Sequence, residues 1–261
     1  MKLEIRHLTK AFGGVHAIED VSLDFASGSL SAVIGPNGAG KTTFFNLISG
    51  AFPADSGRVL LDGEDVSRLG KVARLRRGIG RAFQVASCFP TMTVEENLTA
   101  AVTAHVGQWG NPGRRLPPTG VRERAHEVME LAGLTAAAGV EAAILSHGDQ
   151  KLLDIALALA LEPRVLLLDE PTAGMGPEER WRMIERVRGL WERQKLTLIF
   201  IEHDMDIVFQ VASSIRVLCY GRVLAEGTPD EIRNNQAVID AYLGAEEHDA
   251  PPEGAPSEGA P

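Results

Sequence analysis

Gly35-Pro36-Asn37-Gly38-Ala39-Gly40-Lys41-Thr42-Thr43 sets two glycines with four residues between them, followed at once by Lys and Thr. An apolar, β-prone run, Leu30 to Ile34, precedes it, and a stretch of helical character, Thr42 to Ser49, follows and stops at Gly50. Strand, glycine loop and helix in that order is the context a phosphate-binding loop needs. Glycines at 35, 38 and 40 let successive N–H groups turn inward toward phosphate oxygens, and the helix adds the positive end of its dipole. Lys41 is placed to reach β- and γ-phosphates, and the Thr42 hydroxyl to meet Mg²⁺. The stretch therefore predicts a nucleoside triphosphate site.

Four other stretches carry possible chemistry. Arg164 to Leu168 is a continuous apolar run, as in a parallel strand buried on both faces, and it ends in Asp169-Glu170. Adjacent carboxylates at that end fall in the ligand crevice of an open α/β sheet, where one can hold Mg²⁺ and the other can poise a water. Leu196 to Ile201 is a second such strand, and Glu202-His203-Asp204 follows it into the same crevice. Leu145-Ser146-His147-Gly148-Asp149-Gln150 opens an apolar helix to Leu161; Ser146 with Asp149 reads as a capping box, and a helix start with a glycine is also an anion site. Phe12, beside Gly13 and Gly14, is either a core anchor or a face on which a purine stacks.

The remaining segments read as scaffold. Leu3 to Leu8 and Val21 to Phe25 are strand-like, and Gly57 to Leu61 turns through Asp62-Gly63 toward Val66. From Val85 to Leu145 the texture is helical. Thr93 with Glu96 opens a helix to about Val106, a Pro/Gly-rich linker follows, and Arg122 to Leu131 forms another helix. Pro177 starts a helix to Arg193, a hairpin turns at Gly221, and Thr228-Pro229-Asp230-Glu231 caps a short helix.

At 261 residues and 44% hydrophobic the chain is long enough for a full core, predicting one compact unit with an inserted subdomain. No apolar run approaches the ~18 residues of a membrane span, and Met-Lys-Leu-Glu-Ile-Arg lacks the apolar core of a signal peptide. A cytosolic protein is expected. Cys88 and Cys219 read as reduced structural thiols, and the seven histidines include no pair at zinc-ligand spacing. Of the net charge of −9, the tail 245–261 carries five acids and no Lys or Arg, leaving about −4 for the body. That balance argues against a broad nucleic-acid surface, and the tail's Pro, Gly, Ala and Glu predict disorder. Lys71, Arg74, Arg76, Arg77 and Arg81, and again Arg114, Arg115, Arg122 and Arg124, crowd short segments. A solvated helix face is favoured there over a membrane-facing surface.

These motifs, in this order over residues 1–244, resemble the ATP-binding subunit of an ABC transporter. The resemblance implies an α/β fold: a P-loop NTPase (RecA-like) core with an antiparallel β subdomain and an inserted helical subdomain at about 85–155, followed by the disordered acidic tail. It implies Phe12 as the adenine-stacking aromatic and Gly35 to Thr43 as Walker A, with ATP and Mg²⁺ as cofactors. Gln84 is implied as the Q-loop glutamine sensing Mg²⁺ and the attacking water, and Leu145 to Asp149 as the signature, with Ser146 and Gly148 facing phosphate. Asp169 takes the place of the Walker B carboxylate, Glu170 of the general base and His203 of the switch histidine. The implied metal-facing set is Thr42, Gln84 and Asp169.

In this family two ATPase subunits close head to tail over two ATP molecules. The implied partners are thus a second ABC ATPase subunit, integral membrane permease subunits and an external substrate-binding protein, with no nucleic acid. The implied place is the cytoplasmic side of the cell membrane, as a peripheral protein. Gly-Ile-Gly-Arg-Ala-Phe-Gln at 78–84, Thr172 to Met175, Glu202 to Met205 and the ending Val238 to Gly244 are similar to ATPases of branched-chain amino-acid and urea uptake systems. Three positions depart from the common family pattern: His147 for Gly, Asp149 for Gln and Gly176 for Asp. Alternatives are an ATPase powering transport of another substrate, and a soluble ABC ATPase acting on nucleic acid or ribosomes. The latter usually needs a second nucleotide-binding domain, a coiled-coil arm or a basic surface.

Overall fold

The computed structural model describes residues 1–82, 88–107 and 120–249. The expected Gln84, the Pro/Gly-rich linker and residues 250–261 of the tail lie outside the described residues.

Strands β1 (Leu3–Phe12) and β2 (Val15–Phe25) pair antiparallel, and β1 also pairs antiparallel with β4 (Ser56–Leu61), which continues into the short β5 (Glu64–Asp65). The resulting four-stranded sheet has the order β2-β1-β4-β5. It buries alternate residues, Leu3 and Ile5 on one strand and Val21, Leu23 and Phe25 on its neighbour, as a sheet with one solvated face must.

Strands β3 (Leu30–Ile34), β7 (Val165–Asp169) and β8 (Thr197–Ile201) are buried at every position. They belong to a six-stranded sheet with β6 (Ile79–Ala82), β9 (Ser214–Cys219) and β10 (Arg222–Gly227), in the order β10-β9-β3-β8-β7-β6. All its pairs are parallel except the β9–β10 hairpin. Side chains of one strand point alternately to two apolar clusters. Ala32, Ile34, Leu166 and Leu168 join the cluster under the helical layer, while Val33, Val165 and Leu167 join the one shared with the antiparallel sheet.

Helix α1 (Lys41–Ser49) follows β3, and α2 (Lys71–Arg76) precedes β6. The insertion supplies α3 (Val94–His105) and α4 (Val121–Leu131), then two single 3-10 turns, and leads to α5 (His147–Leu159). The predicted capping box at Thr93 and Glu96 forms in full. Helices α6 (Pro177–Gln194) and α7 (Met205–Val211) complete the crossovers, and α8 (Pro229–Arg233) and α9 (Gln236–Asp249) end the described chain. Helix α9 thus runs five residues into the stretch 245–261 that composition marks for disorder.

The first basic cluster is only in part a solvated face: Lys71, Arg76 and Arg77 are exposed, but two members are not. Arg74 is 2% exposed, and its guanidinium donates to the carbonyls of Leu47, Ile48, Leu69 and Ser67, so it caps the C-terminal end of α1. Arg81 is buried as well, against Asp169. Two of the five charges are therefore internal; a run of like charges on the sequence conceals which members carry buried partners.

Candidate functional site

Strand order decides the site. β3, β8 and β7 are neighbours, so the segments leaving their C-terminal ends, the glycine loop, Glu202-His203 and Asp169-Glu170, emerge side by side.

The glycine loop is held from behind by main chain. At Gly35, φ +152, a Cβ would stand 2.0 Å from the Leu218 carbonyl oxygen, and at Gly40, φ +97, 2.3 Å from that of Ala17. Only glycine fits where two other segments press so closely. The Gly221 N–H donates to the Ala39 carbonyl, while the Gly221 carbonyl accepts from Glu19 N–H, so the β9–β10 turn ties the loop to β2. From α9, Tyr242 lies near the Gly35 backbone; burial pushes the phenol's pKa up to about 12.

Helix α1 starts at Gly40 without a side-chain cap, which leaves its first-turn N–H groups to an outside acceptor. The Lys41 amine donates to the carbonyls of Gly35 (2.6 Å) and Pro36 (3.0 Å) within the loop. Burial pulls its pKa down, and the nearby Glu170 and Asp169 act against that. Asn37, Gly38 and Thr42 are exposed, while Pro36 and Ala39 are buried and Thr43 is half-buried. The donor set is cationic and N–H-rich, which suits an anion. Thr42 and Asp169 offer hard oxygens, which suit Mg²⁺. Among the described residues no group of three His, Cys, Asp or Glu could hold a metal alone, and Mg²⁺ is usually bound by one or two carboxylates together with substrate phosphates.

The Asp169 carboxylate is 5% exposed and its Oδ2 accepts from Arg81 Nη2 at 2.6 Å. Removing one partner of a pair this buried costs about 3–5 kcal/mol. Glu170 stands in the left-handed region at φ +49, its N–H donating to the Ile201 carbonyl. Such a backbone costs on the order of 1–3 kcal/mol in a residue with a side chain, and it turns the carboxylate out of the strand. Glu170 Oε1 lies 2.9 Å from His203 Nε2. Sequence order alone had put Glu170 and His203 in one crevice; the structure brings them into contact.

Two further participants received no role from the sequence, although Glu202 lies within one of its motifs. Glu202, 4% exposed, accepts from the Thr172 N–H and hydroxyl and from the His203 N–H. It thereby fixes the loops after β7 and β8 to each other, and burial pushes its pKa up. Lys151 on α5 is buried near Asp154, Glu170, Asp169 and Glu202; burial pulls its pKa down. A lysine directly before the run Leu152 to Leu159, which only Asp154 interrupts, is the signal that could have pointed to it.

Ser146 caps α5, accepting from the Asp149 N–H at 3.1 Å and donating to Asp149 Oδ2 at 2.8 Å. Ser146 and His147 are exposed and Gly148 is buried. His147 Nε2 donates to the Ala173 carbonyl at 3.0 Å. One of the three departures from the common family pattern, His147, therefore touches the loop that carries another, Gly176. Phe12, half exposed, packs edge-on to Phe52 with Lys10 Nζ 5.4 Å from its ring. Neither contact covers the whole ring, so a stacking face remains.

Known proteins agree with this geometry. The ABC transporter family pattern matches residues 18–173, and that of the branched-chain amino acid ATP-binding cassette transporter matches 222–248. The high-affinity branched-chain amino acid transport ATP-binding protein BraF of Pseudomonas aeruginosa is 38% identical, over 93% of this chain and 97% of its own. LivG of Escherichia coli, of the same description, is 37% identical with the same coverage. The sulfate/thiosulfate import ATP-binding protein CysA of Burkholderia mallei is also 38% identical, over 94% of this chain and 68% of its own. Among solved structures, a nucleotide-free ATP-binding cassette from an ABC transporter superposes with TM-score 0.81 at 30% identity, over 93% of this chain and 99% of that one. A dimeric post-hydrolysis cassette bound to ADP and Pi gives TM-score 0.73 at 25% identity, over 87% and 98%. The chain belongs to the ABC transporter family, as an ATP-binding subunit similar to those of branched-chain amino acid importers.

Proposed function

We propose that the chain hydrolyses MgATP in a head-to-tail pair of ATPase subunits and so drives a branched-chain or other hydrophobic amino-acid importer. The observation that carries the proposal is the 2.9 Å contact of His203 with Glu170, beside Asp169 and one strand away from the glycine loop. Lys41 and the first-turn N–H groups of α1 offset charge on the β- and γ-phosphates, and Phe12 stacks on the adenine. Thr42 and Asp169, with the Q-loop Gln84 that the resemblance implies, would hold Mg²⁺, and the ion would supply positive charge to offset that of the phosphates. Glu170 accepts a proton from, or orients, the attacking water, and His203 holds Glu170 and contacts the γ-phosphate. Ser146 and Gly148 of one subunit complete the phosphate site of the other. The branched-chain assignment is supported by the C-terminal match and the BraF and LivG relatives rather than by identity alone, which is equal for a sulfate/thiosulfate import ATP-binding protein.

Glu170→Gln tests the chemistry. The variant keeps Lys41, Thr42 and Asp169 and should bind MgATP, while hydrolysis falls by about 10² or more, the lower range for a lost general base. Because hydrolysis reopens the pair, size-exclusion chromatography with MgATP should show a closed dimer, alone or with a distinct partner ATPase. Near-normal phosphate release with the proper partners present would remove Glu170 from this role.

The permease contact has a matching surface. Among the described residues no helix is long and apolar enough to cross a membrane. Between α2, α3 and α5 lies a groove of about 540 Å³, lined by Leu75, Phe89, Met92, Ala101, Ala104 and Leu157 among others. Its occupant is proposed to be an apolar helix of an integral membrane permease subunit. Phe89, 60% exposed at the rim, makes the test. Phe89→Asp should abolish uptake in membrane vesicles while leaving nucleotide affinity unchanged; unaltered uptake would refute the placement.

A further inference from the structure

Arg81 stands where the groove and the metal-facing carboxylate meet. It lines the groove, yet its guanidinium lies inside: Nη2 donates to Asp169 Oδ2 at 2.6 Å, and Nη1 to Asn46 Oδ1 at 2.7 Å and Ser49 Oγ at 3.4 Å. Its side chain is 6% exposed, and the Phe45 ring lies 5.8 Å from its guanidinium carbon. Helix α1, which begins at the phosphate loop, thereby holds the fork that holds Asp169.

We infer that Arg81 is a positioning residue for the Asp169 carboxylate, presetting its rotamer so that Mg²⁺ meets an already oriented oxygen. The physical reason is the planar guanidinium. Its donors point in fixed directions, so gripping Asn46 and Ser49 with one nitrogen dictates where the other presents its N–H to Asp169. A lysine ammonium at the same place would keep the charge and lose that direction. The inference rests on the reading of Asp169 as metal-facing in the proposed function. It assigns to Arg81 a task that a buried ion pair of purely structural value would not have.

The experiment counts bound ion rather than turnover. Mn²⁺ binding to the full chain in the presence of ADP is followed by electron paramagnetic resonance, for wild type, Arg81→Lys and Asn46→Ala. Both variants retain the positive charge; the first loses the fork and the second its anchor. Half-saturation by Mn²⁺ should rise about tenfold in Arg81→Lys and at least threefold in Asn46→Ala, with ADP affinity in the absence of divalent ion unchanged within about twofold. If Arg81→Lys loses its cooperative thermal transition, Asn46→Ala carries the test. Unchanged half-saturation in the folded variants would overturn the inference. Asp169→Asn separates this from the underlying assignment. If it binds Mn²⁺ like wild type, Asp169 is not metal-facing and both readings fall. If it loses the ion while the other variants keep it, only the role of Arg81 falls.

Discussion

The phosphate-loop side of the site and the signature side are both built from a glycine at the start of a helix, but they are supported in opposite ways. Gly35 and Gly40 are pressed by main-chain carbonyls of Leu218 and Ala17, which sheet hydrogen bonds hold in place. Gly148 is approached only by the far end of a side chain, Glu179 Oε1, 2.5 Å from where a Cβ would stand. The loop at 35–43 also has ties from β2 and β9–β10. The signature helix is capped by its own Ser146 and touches the next loop through His147. One half is preorganised within the chain, and the other is an exposed helix start whose second contact is proposed to be another subunit. A phosphate cradle can be rigid because its ligand arrives alone; a surface that must close on a partner keeps its constraints local.

The largest break in that comparison is Gly35→Ala. The methyl would collide with the Leu218 backbone in a conformation L side chains rarely adopt. Strain and overpacking together should cost about 3–5 kcal/mol of stability. A drop in the urea midpoint with unchanged slope would measure it, together with lost MgATP binding. A variant of wild-type stability would show that the loop is not held by main chain as described.

Gly148→Ala should behave differently, with the smaller effect on the fold. The carboxylate end of Glu179 can swing aside, and Ala restricts the unfolded chain more than Gly does, so the melting temperature should stay level or rise slightly. Hydrolysis and MgATP-driven pairing should still fall, by roughly tenfold or 1.4 kcal/mol of transition-state stabilisation, because the methyl enters the face offered to phosphate. Equal loss of stability in both glycine variants would erase the distinction between the two halves.

The same distinction sorts what could be read in advance. The glycine loop was legible because its residues are contiguous and its demands are local: a turn needs Gly, a phosphate needs N–H groups and a cation. Strands β3, β7 and β8 were legible from unbroken apolar runs. The first two strands came out longer than the apolar runs marked, β1 reaching Phe12 and β2 beginning at Val15, since hairpin pairing extends a strand through polar positions. Arg81 and Arg74 were misread as solvated, because a charge's burial depends on partners 88 and 26 residues away, respectively.

Taken by itself, the order of residues determined the kinds of group available, the segments that carry them and the family they resemble. Which of those groups touch was decided only by strand order. Parallel strands return through crossovers, so β3 acquires β8 and β9 as neighbours although β4 to β7 intervene in the chain. That places His203 against Glu170, Arg81 on Asp169 and Glu202 on Thr172, contacts spanning 33, 88 and 30 positions. No local pattern encodes such pairings, because the force that selects them is burial of whole sheet faces between two apolar clusters, a property of the assembled layers rather than of any one segment.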